Sequence, residues 1–160
     1  MVENIGKDSS KYNILVVDDE ELIRNLVVTA LSELGHSWVT AKDGKDALNK
    51  IGENKFDAII TDVDMPNMDG IILTREISKQ YPFIPVMVMI AYEEEYFLGT
   101  AISAGAREFI KKPFSLDEFA IRLHKMINDF EALRESKSEK DTEENVKDLM
   151  NELETTLKEG

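Results

Sequence analysis

Short apolar runs recur along the chain and predict the strands of a sheet. The runs are apolar without regular alternation, which is typical of strands buried on both faces of a parallel sheet. The predicted strands are Asn13–Val17, Ser37–Ala41, a run from Ala58 that reaches Asp62, Val86–Ile90 and Glu108–Ile110. Each is bounded by polar residues, glycine or proline, which favours a turn at its end.

The segments between these runs carry apolar residues at helical spacing. In the first predicted helix these are Ile23, Leu26, Val27, Ala30, Leu31 and Leu34, and in the fifth they are Phe119, Leu123, Met126, Ile127, Phe130 and Leu133. The fourth helix is predicted over Glu93–Ala104, weakened by Gly99 in its middle. Five strands alternating with five helices predict an α/β fold, with a parallel sheet covered on both faces.

Capping residues predict where several helices begin and end. Gly35 suits the end of the first helix, and Asp43 suits the start of the second. Ser115 followed by Glu118 has the spacing of a capping box that opens the fifth helix. The third helix should end before Pro82, because a proline disfavours helix at the residue before it.

Composition divides the chain into three parts. Residues 1–11 are predicted to be a flexible tail, residues 12–134 a single domain, and residues 135–160 a charged linker with an amphipathic helix. The charged stretch at 135–141 is either a linker or an exposed continuation of the fifth helix. The apolar face that follows is Val146, Leu149, Met150, Leu153 and Leu157. A face this short rarely holds as an isolated helix, so it should pack on the fifth helix, on a second copy or on a partner. Of these, we favour self-association or partner binding.

Charge and residue usage exclude several classes of function. The formal net charge of −13 argues against nucleic acid or an anionic membrane as a direct partner. The chain has no cysteine, so it has neither a disulfide framework nor a thiolate metal site. His36 and His124 have no partners at ligand spacing and are predicted to be surface or helix residues. No apolar run approaches the roughly 20 residues that span a bilayer, so we expect a soluble, cytoplasmic protein.

Carboxylates follow two of the predicted strands. Asp18 and Asp19 follow the first strand, Asp62 ends the third, and Lys112 follows the fifth. In open parallel sheets ligands bind beyond the carboxyl ends of the strands, so these side chains should meet. Clustered carboxylates raise one another's proton affinity, and a hard divalent cation relieves that repulsion. Oxygen ligands with room for water suit Mg²⁺.

This combination resembles the receiver domain of two-component response regulators. The motifs that carry the resemblance are Val16–Asp19, Asp62–Gly70 and Lys112–Phe114, and together they are highly specific. The resemblance covers roughly residues 12–134. It implies a flavodoxin-like, doubly wound fold with strand order 2-1-3-4-5, followed here by a C-terminal helical extension.

The resemblance also implies a role for each residue of the site. Asp62 is the phosphoacceptor, and Asp19 and Asp62 bind Mg²⁺ directly, while Asp18 acts mainly through water. The backbone carbonyl of Asp64 is a further metal ligand. Lys112 contacts the phosphoryl group, with a cis peptide after it. The donor is a phosphohistidine on a sensor histidine kinase or a phosphotransfer protein.

The sequence departs from the family pattern at its switch positions. Ile90 stands where most receivers have serine or threonine, and Phe109 stands at the aromatic switch position. Neither side chain has a hydroxyl, although the N–H of Ala91 could still donate. We expect phosphorylation of Asp62 to be retained. The usual coupling between the threonine and tyrosine switch positions of receivers should be altered. The alternative is that Ile90 and Phe109 only pack together.

Three functions compete. The first is a phosphoacceptor regulator, which is not a turnover enzyme but catalyses its own phosphorylation and dephosphorylation. It signals to a downstream protein or self-associates, through the fourth helix, fifth strand and fifth helix or through the C-terminal helix. The second is a degenerate receiver that acts as a phosphorylation-independent scaffold. The third is a metal-dependent phosphohydrolase, for which Asp64 is a candidate acid.

Overall fold

A five-stranded parallel sheet forms the centre of the protein in a computed structural model, in the order β2-β1-β3-β4-β5. Residues 11–65 and 68–159 are described, with the backbone alone for 137–142 and 159. The strands are β1 Asn13–Val17, β2 Ser37–Ala41, β3 Ala58–Asp62, β4 Val86–Ala91 and β5 Glu108–Lys112. The helices are α1 Glu21–Glu33, α2 Gly44–Glu53, α3 Gly70–Gln80, α4 Leu98–Ala104 and α5 Leu116–Glu159, with a 3-10 turn over Tyr92–Phe97. The predicted flavodoxin-like order is confirmed.

Each face of the sheet carries its own apolar cluster. Successive side chains of a strand point to opposite faces, so each unbroken apolar run supplies both clusters. One cluster joins the sheet to α2, α3 and α4, through residues that include Leu15, Ile59, Val88, Leu73, Ile77 and Ala101. The other joins it to α1 and α5, through residues that include Val16, Ile60, Met89, Leu31, Phe119 and Leu123. This arrangement explains why the strands lack polar alternation.

Side-chain caps set the predicted helix starts. Asp43 accepts a hydrogen bond from the Asp46 N–H at 2.8 Å, which opens α2. Ser115 Oγ accepts one from the Glu118 N–H at 3.1 Å, which opens α5. Gly35, after α1, has φ of +86°, in the left-handed region that glycine tolerates best.

The prediction of one α-helix over Glu93–Ala104 is wrong in its first half. A 3-10 turn occupies Tyr92–Phe97, and α4 begins only at Leu98. The Glu94 carboxylate turns back and accepts a hydrogen bond from the Ala91 N–H at 2.9 Å. This contact holds the segment against the end of β4 in the tighter 3-10 winding.

Two leucines predicted to be buried are exposed. Leu26 on α1 is 58% exposed and Leu133 on α5 is 53% exposed. Leu26 lies at the edge of the helix's apolar stripe, where periodicity alone does not separate a core position from the wall of a groove.

His36 and His124 were predicted to be surface or helix residues, which is wrong for His36, whereas His124 lies on α5. His36 is buried, and its Nε2 lies 2.9 Å from His124 Nε2. The Tyr12 N–H donates to His36 Nδ1 at 3.1 Å, so the proton of neutral His36 must be on Nε2, facing His124. Residues 88 positions apart thus meet through the fold, which ligand spacing in the sequence does not reveal.

The chain divides into two compact units between Ile127 and Asn128. The second unit is the C-terminal part of α5, and the helix runs without a break through residues 135–141. Its apolar face is exposed: Val146, Leu149, Met150, Leu153 and Leu157. In the parts of the chain that are described, every helix is too short or too polar to cross a membrane. Of the predicted tail, residues 1–11, all but Lys11 lie outside the described residues.

Candidate functional site

Strands β3 and β5 bring a carboxylate and an ammonium group together at the carboxyl edge of the sheet. Asp62, the last residue of β3, is 4% exposed. Lys112, the last residue of β5, places Nζ 3.0 Å from Asp62 Oδ1. The peptide between Lys112 and Pro113 is cis. The two residues are 50 positions apart, so the sheet topology makes this contact.

Burial and pairing act in opposite directions on both groups. Burial raises the pKa of Asp62, and the hydrogen bond and charge of Lys112 only partly offset this. Burial lowers the pKa of Lys112, but the hydrogen bond and charge of Asp62, together with the charges of Asp18 and Glu94, outweigh it, so the net shift is upward. Lys112 therefore keeps its positive charge beside a carboxylate that is held partly out of water.

Asp18, directly after β1, is the most buried carboxylate of the site. It is fully buried, its Oδ1 accepts the Glu20 N–H at 2.8 Å, and Arg24 donates to its backbone carbonyl at 2.7 Å. Its Oδ2 is buried and has no hydrogen-bond partner among the residues described. Burial raises the pKa of Asp18 to about 7, with Asp62 and Asp19 adding to the increase and the Glu20 N–H opposing it.

The carboxylates of Asp18, Asp19 and Glu20 form an acidic cluster. One oxygen from each lies within 4.8 Å of the others, and Asp19 and Glu20 are exposed. Hard oxygen ligands that are partly open to water fit Mg²⁺, and the unpartnered Oδ2 of Asp18 is an acceptor such an ion would satisfy. Sequence reasoning missed Glu20, although it continues the acidic run Asp18–Glu21. Asp64, another predicted ligand, lies exposed two residues after β3.

The turn after β3 depends on a glycine. A Cβ on Gly70 would lie 1.9 Å from the backbone oxygen of Asp62, and the Gly70 N–H donates to the Val63 carbonyl at 2.9 Å. Asp69 caps α3 through its Oδ1 and the Ile72 N–H at 2.8 Å. Gly70 therefore allows the close approach of α3 to the end of β3. Residues 66 and 67, in the middle of the predicted motif, lie outside the described residues.

The predicted switch residues have apolar or already bonded surroundings. Ile90 is 1% exposed, and Phe109 packs against the same apolar cluster. The guanidinium of Arg122 lies 5.3 Å from the Phe109 ring centre, a cation–π contact. The Ala91 N–H, the remaining predicted donor, is taken by Glu94. Sequence reasoning missed Glu94; an acid three residues after the strand end is the signal that could have found it.

An apolar groove opens beside Lys112. Its volume is about 630 Å³, and it lies between α1 and the turn that leads into α5. The lining residues include Ile23, Leu26, Ala30, Lys112, Phe114 and Leu116. Leu26 thus forms part of a concave apolar surface that adjoins the site.

Residues 14–124 match the family described as the response regulator receiver domain. The chain is 35% identical over 130 residues to the alkaline phosphatase synthesis transcriptional regulatory protein PhoP of Bacillus subtilis. The matched stretch covers 81% of this chain and 54% of PhoP. It is 34% identical over 114 residues to the response regulator MprA of a Mycobacterium species, which covers 71% of this chain and 50% of MprA. The chain thus spans about half the length of the curated relatives it matches.

Solved structures show the same architecture. The receiver domain of NtrX from Brucella abortus matches with a TM-score of 0.70 and 36% identity, covering 72% of this chain and 98% of that one. The chemotaxis response regulator CheY4 of Vibrio cholerae matches with a TM-score of 0.67 and 31% identity, covering 71% and 97%.

Proposed function

This chain belongs to the response regulator receiver domain family, and we propose that it accepts a phosphoryl group on Asp62 from a phosphohistidine. One observation carries the proposal: Asp62 is buried at the strand end within 3.0 Å of Lys112 Nζ. A carboxylate in that position is a nucleophile with a fixed cation beside it, which is what phosphoryl transfer needs from a protein.

In the proposed step, an oxygen of Asp62 forms a bond to phosphorus. The P–N bond of the donor breaks, its electron pair stays on the imidazole nitrogen, and that nitrogen takes up a proton from solvent. Lys112 holds the carboxylate before transfer and contacts a phosphoryl oxygen afterwards. The upward shift in the pKa of Asp62 means that transfer slows as the pH falls, because the protonated acid is not a nucleophile.

Magnesium dependence is part of this proposal. Asp18, Asp19 and Glu20 would hold the ion together with Asp62, and the Asp64 carbonyl is a further candidate ligand. A bound divalent cation neutralises charge on the phosphoryl oxygens. The orphaned Asp18 Oδ2 supports the assignment, since a buried acceptor without a partner costs free energy.

The groove beside Lys112 supports a protein donor. A helix that carries the phosphohistidine can set apolar side chains against Leu26 and Leu116, both exposed. The donor would be a cytoplasmic histidine kinase or phosphotransfer protein. For output we propose a downstream protein, or self-association through α4–β5–α5 or the C-terminal helix.

Intact-mass analysis tests the acceptor proposal. The protein is incubated with acetyl phosphate, with and without Mg²⁺, alongside Asp62→Ala. One phosphoryl adduct that requires both Mg²⁺ and Asp62 is expected. A folded protein that takes up no adduct would overturn the proposal and favour a phosphorylation-independent scaffold, the reading that the buried, hydroxyl-free Ile90 supports. Sustained hydrolysis of a generic phosphomonoester, supplied in place of acetyl phosphate, would instead indicate a phosphohydrolase.

A further inference from the structure

A glutamate side chain already occupies the backbone donor at the end of β4. The Ala91 N–H donates to Glu94 Oε1 at 2.9 Å. Ala91 is the last residue of β4 and pairs with Lys112 in the register of β4 and β5. Glu94 therefore places its negative charge at the same sheet edge as the acceptor.

The charge of Glu94 affects the pKa values of both Asp62 and Lys112. After burial and the contacts with Lys112, the Glu94 carboxylate contributes to the raised pKa of Asp62. It also contributes to the raised pKa of Lys112, after the larger effects of burial, Asp62 and Asp18. A phosphoryl group on Asp62 would bring a charge of about −1.5 to −2 into this environment.

The end of β4 offers that phosphoryl group few donors. Ile90 has no hydroxyl and is buried in the apolar cluster. The Ala91 N–H is the donor that remains at this strand end, and one N–H does not serve two anions at full strength. Phosphorylation and the Glu94 contact therefore compete, through the shared donor and through like-charge repulsion.

We propose that Glu94 gates the acceptor site: its carboxylate holds the Ala91 N–H in the resting protein and is expelled when Asp62 is phosphorylated. The inference rests on the proposed function and names the element that responds. Expulsion removes the tie between the 3-10 turn Tyr92–Phe97 and β4. Lys111 pairs with Glu95 and lies 5.5 Å from the Tyr92 ring centre, and since neither contact involves Glu94, both can persist when Glu94 is expelled.

Three variants separate charge from hydrogen bonding. Glu94→Gln removes the charge but keeps an oxygen that accepts from Ala91, whereas Glu94→Ala removes both. Glu93→Gln is the matched control, because it makes the same change of charge one residue earlier at an exposed position. Each full-length, ¹⁵N-labelled chain is titrated with beryllofluoride, an aspartyl-phosphate mimic, in the presence of Mg²⁺ and followed by NMR.

We expect Glu94→Gln to lower the half-saturating beryllofluoride concentration by about fivefold or more, and Glu93→Gln by less than about twofold. The difference between the two should shrink as salt is raised, since it is electrostatic. In wild type the amide signals of Ala91–Phe97 should shift on binding. Without beryllofluoride, Glu94→Ala should already shift them in the same direction.

Two failures are distinguishable. If wild type binds beryllofluoride in an Asp62-dependent way but Glu94→Gln titrates like Glu93→Gln, or more weakly than wild type, the gate is overturned and the phosphoacceptor proposal stands. If no variant binds while every spectrum is that of a folded protein, the phosphoacceptor proposal is overturned, and the gate with it.

Discussion

Asp18 is the residue whose charge and surroundings conflict most. It is fully buried, one of its oxygens has no partner among the described residues, and burial raises its pKa to about 7. Sequence reasoning placed this carboxylate at a strand end because apolar runs and turns are local signals. It did not distinguish buried Asp18 from exposed Asp19, because burial here depends on where α1 begins, with Glu20 as its N-cap.

We expect Asp18→Asn to stabilise the metal-free protein at pH 8 by about 1–2 kcal/mol. One unit of pKa shift corresponds to about 1.36 kcal/mol, and the expected gain is well below what the whole shift would give. The folded-state pKa lies above the unfolded value of 3.8, so folded wild type binds more protons in between and gains stability as the pH falls from 8 through 7. Urea unfolding at pH 8 and 5.5 measures both effects.

Exposed Asp19→Asn is the control for Asp18→Asn and should change the stability little. Added Mg²⁺ should stabilise wild type more than Asp18→Asn, because the variant loses one of the negative charges proposed to hold the ion. A variant less stable than wild type at pH 8 without metal would contradict the interpretation of Asp18 as a strained, functional acid.

Sequence reasoning missed Glu20 and Glu94 because their contacts, like the burial of Asp18, depend on local details of the fold. Asp62 and Lys112 end strands, so the topology alone brings them together. A glutamate has a longer side chain, and which backbone N–H it reaches depends on the rotamer and on the winding of the segment that carries it. For Glu94 that winding is the 3-10 turn, which the helical prediction did not include.

At the scale of elements, the strands of the sheet were predictable from the sequence, whereas the edges of the helices' buried faces and the way a helix approaches the sheet were not. Buried parallel strands are unbroken apolar runs, a signal that survives any detail of packing. Helix α1 shows the opposite case: its periodicity placed Leu26 in the core, whereas Leu26 lines a groove. The close approach of α3 to β3 is allowed by Gly70, which the sequence marked only as part of a turn.

Gly70→Ala should destabilise the protein by about 2–3 kcal/mol, since the alanine Cβ would lie 1.9 Å from the backbone oxygen of Asp62. A backbone atom cannot move aside as the end of a flexible side chain could. Gly99→Ala is the matched control, because its Cβ meets nothing within 4 Å. A helical alanine there should add about 0.5–1 kcal/mol. Urea unfolding compares the two, and equal stability of both variants would contradict the close approach at Gly70.

The pair of buried His36, just before β2, and half-buried His124, on α5, should make stability depend on pH. Burial lowers the pKa of His36, His124 lowers it further, and Asp57 opposes the shift; burial lowers the pKa of His124. The unfolded chain, with a pKa of 6.5, therefore binds more protons, so this contribution is complete above pH 6.5 and is lost as the pH falls. Asp18 acts in the opposite direction, so the test uses a difference between proteins.

His124→Gln retains an acceptor for His36 Nε2 but cannot be protonated. At pH 8 we expect the variant to lie within about 1.5 kcal/mol of wild type, the range of one neutral hydrogen bond. The difference in free energy of unfolding between wild type and the variant should become smaller, or change sign, as the pH falls from 6.5 to 5.5. Urea unfolding across that range supplies the measurement, and a pH-independent difference would exclude linkage through the pair.

At the scale of the whole molecule, the Asp62–Lys112 pair and the groove that Lys112 helps to line both lie in the first compact unit, which ends at Ile127. The division after Ile127 lies inside α5, so no loop or change of secondary structure marks it. The sequence suggested a boundary near 134 from composition, because charge content changes there, seven residues after the boundary that packing defines.

Leu26→Glu should slow phosphoryl transfer from a panel of autophosphorylated histidine kinases by about tenfold or more, because it puts a charge into an apolar contact. Labelling by acetyl phosphate should stay unchanged, since Leu26 does not contact Asp62 or Lys112 in the proposed step. Leu22→Glu is the control, on the same helix and 68% exposed but outside the groove lining. Equal rates for both variants with every kinase would exclude the groove as the donor's docking surface.

The position of the single tryptophan decides which optical signals the protein gives. Trp38 lies on β2, an edge strand, and its indole N–H donates to Ser32 Oγ at 2.9 Å. It pairs with Ile14, away from the strand ends that carry Asp62 and Lys112. Intrinsic fluorescence should therefore report the melting of the sheet edge during denaturation and stay nearly constant as Mg²⁺ or acetyl phosphate is added. A clear change in emission on adding either one would mean that events at Asp62 propagate across β1 to the opposite edge of the molecule.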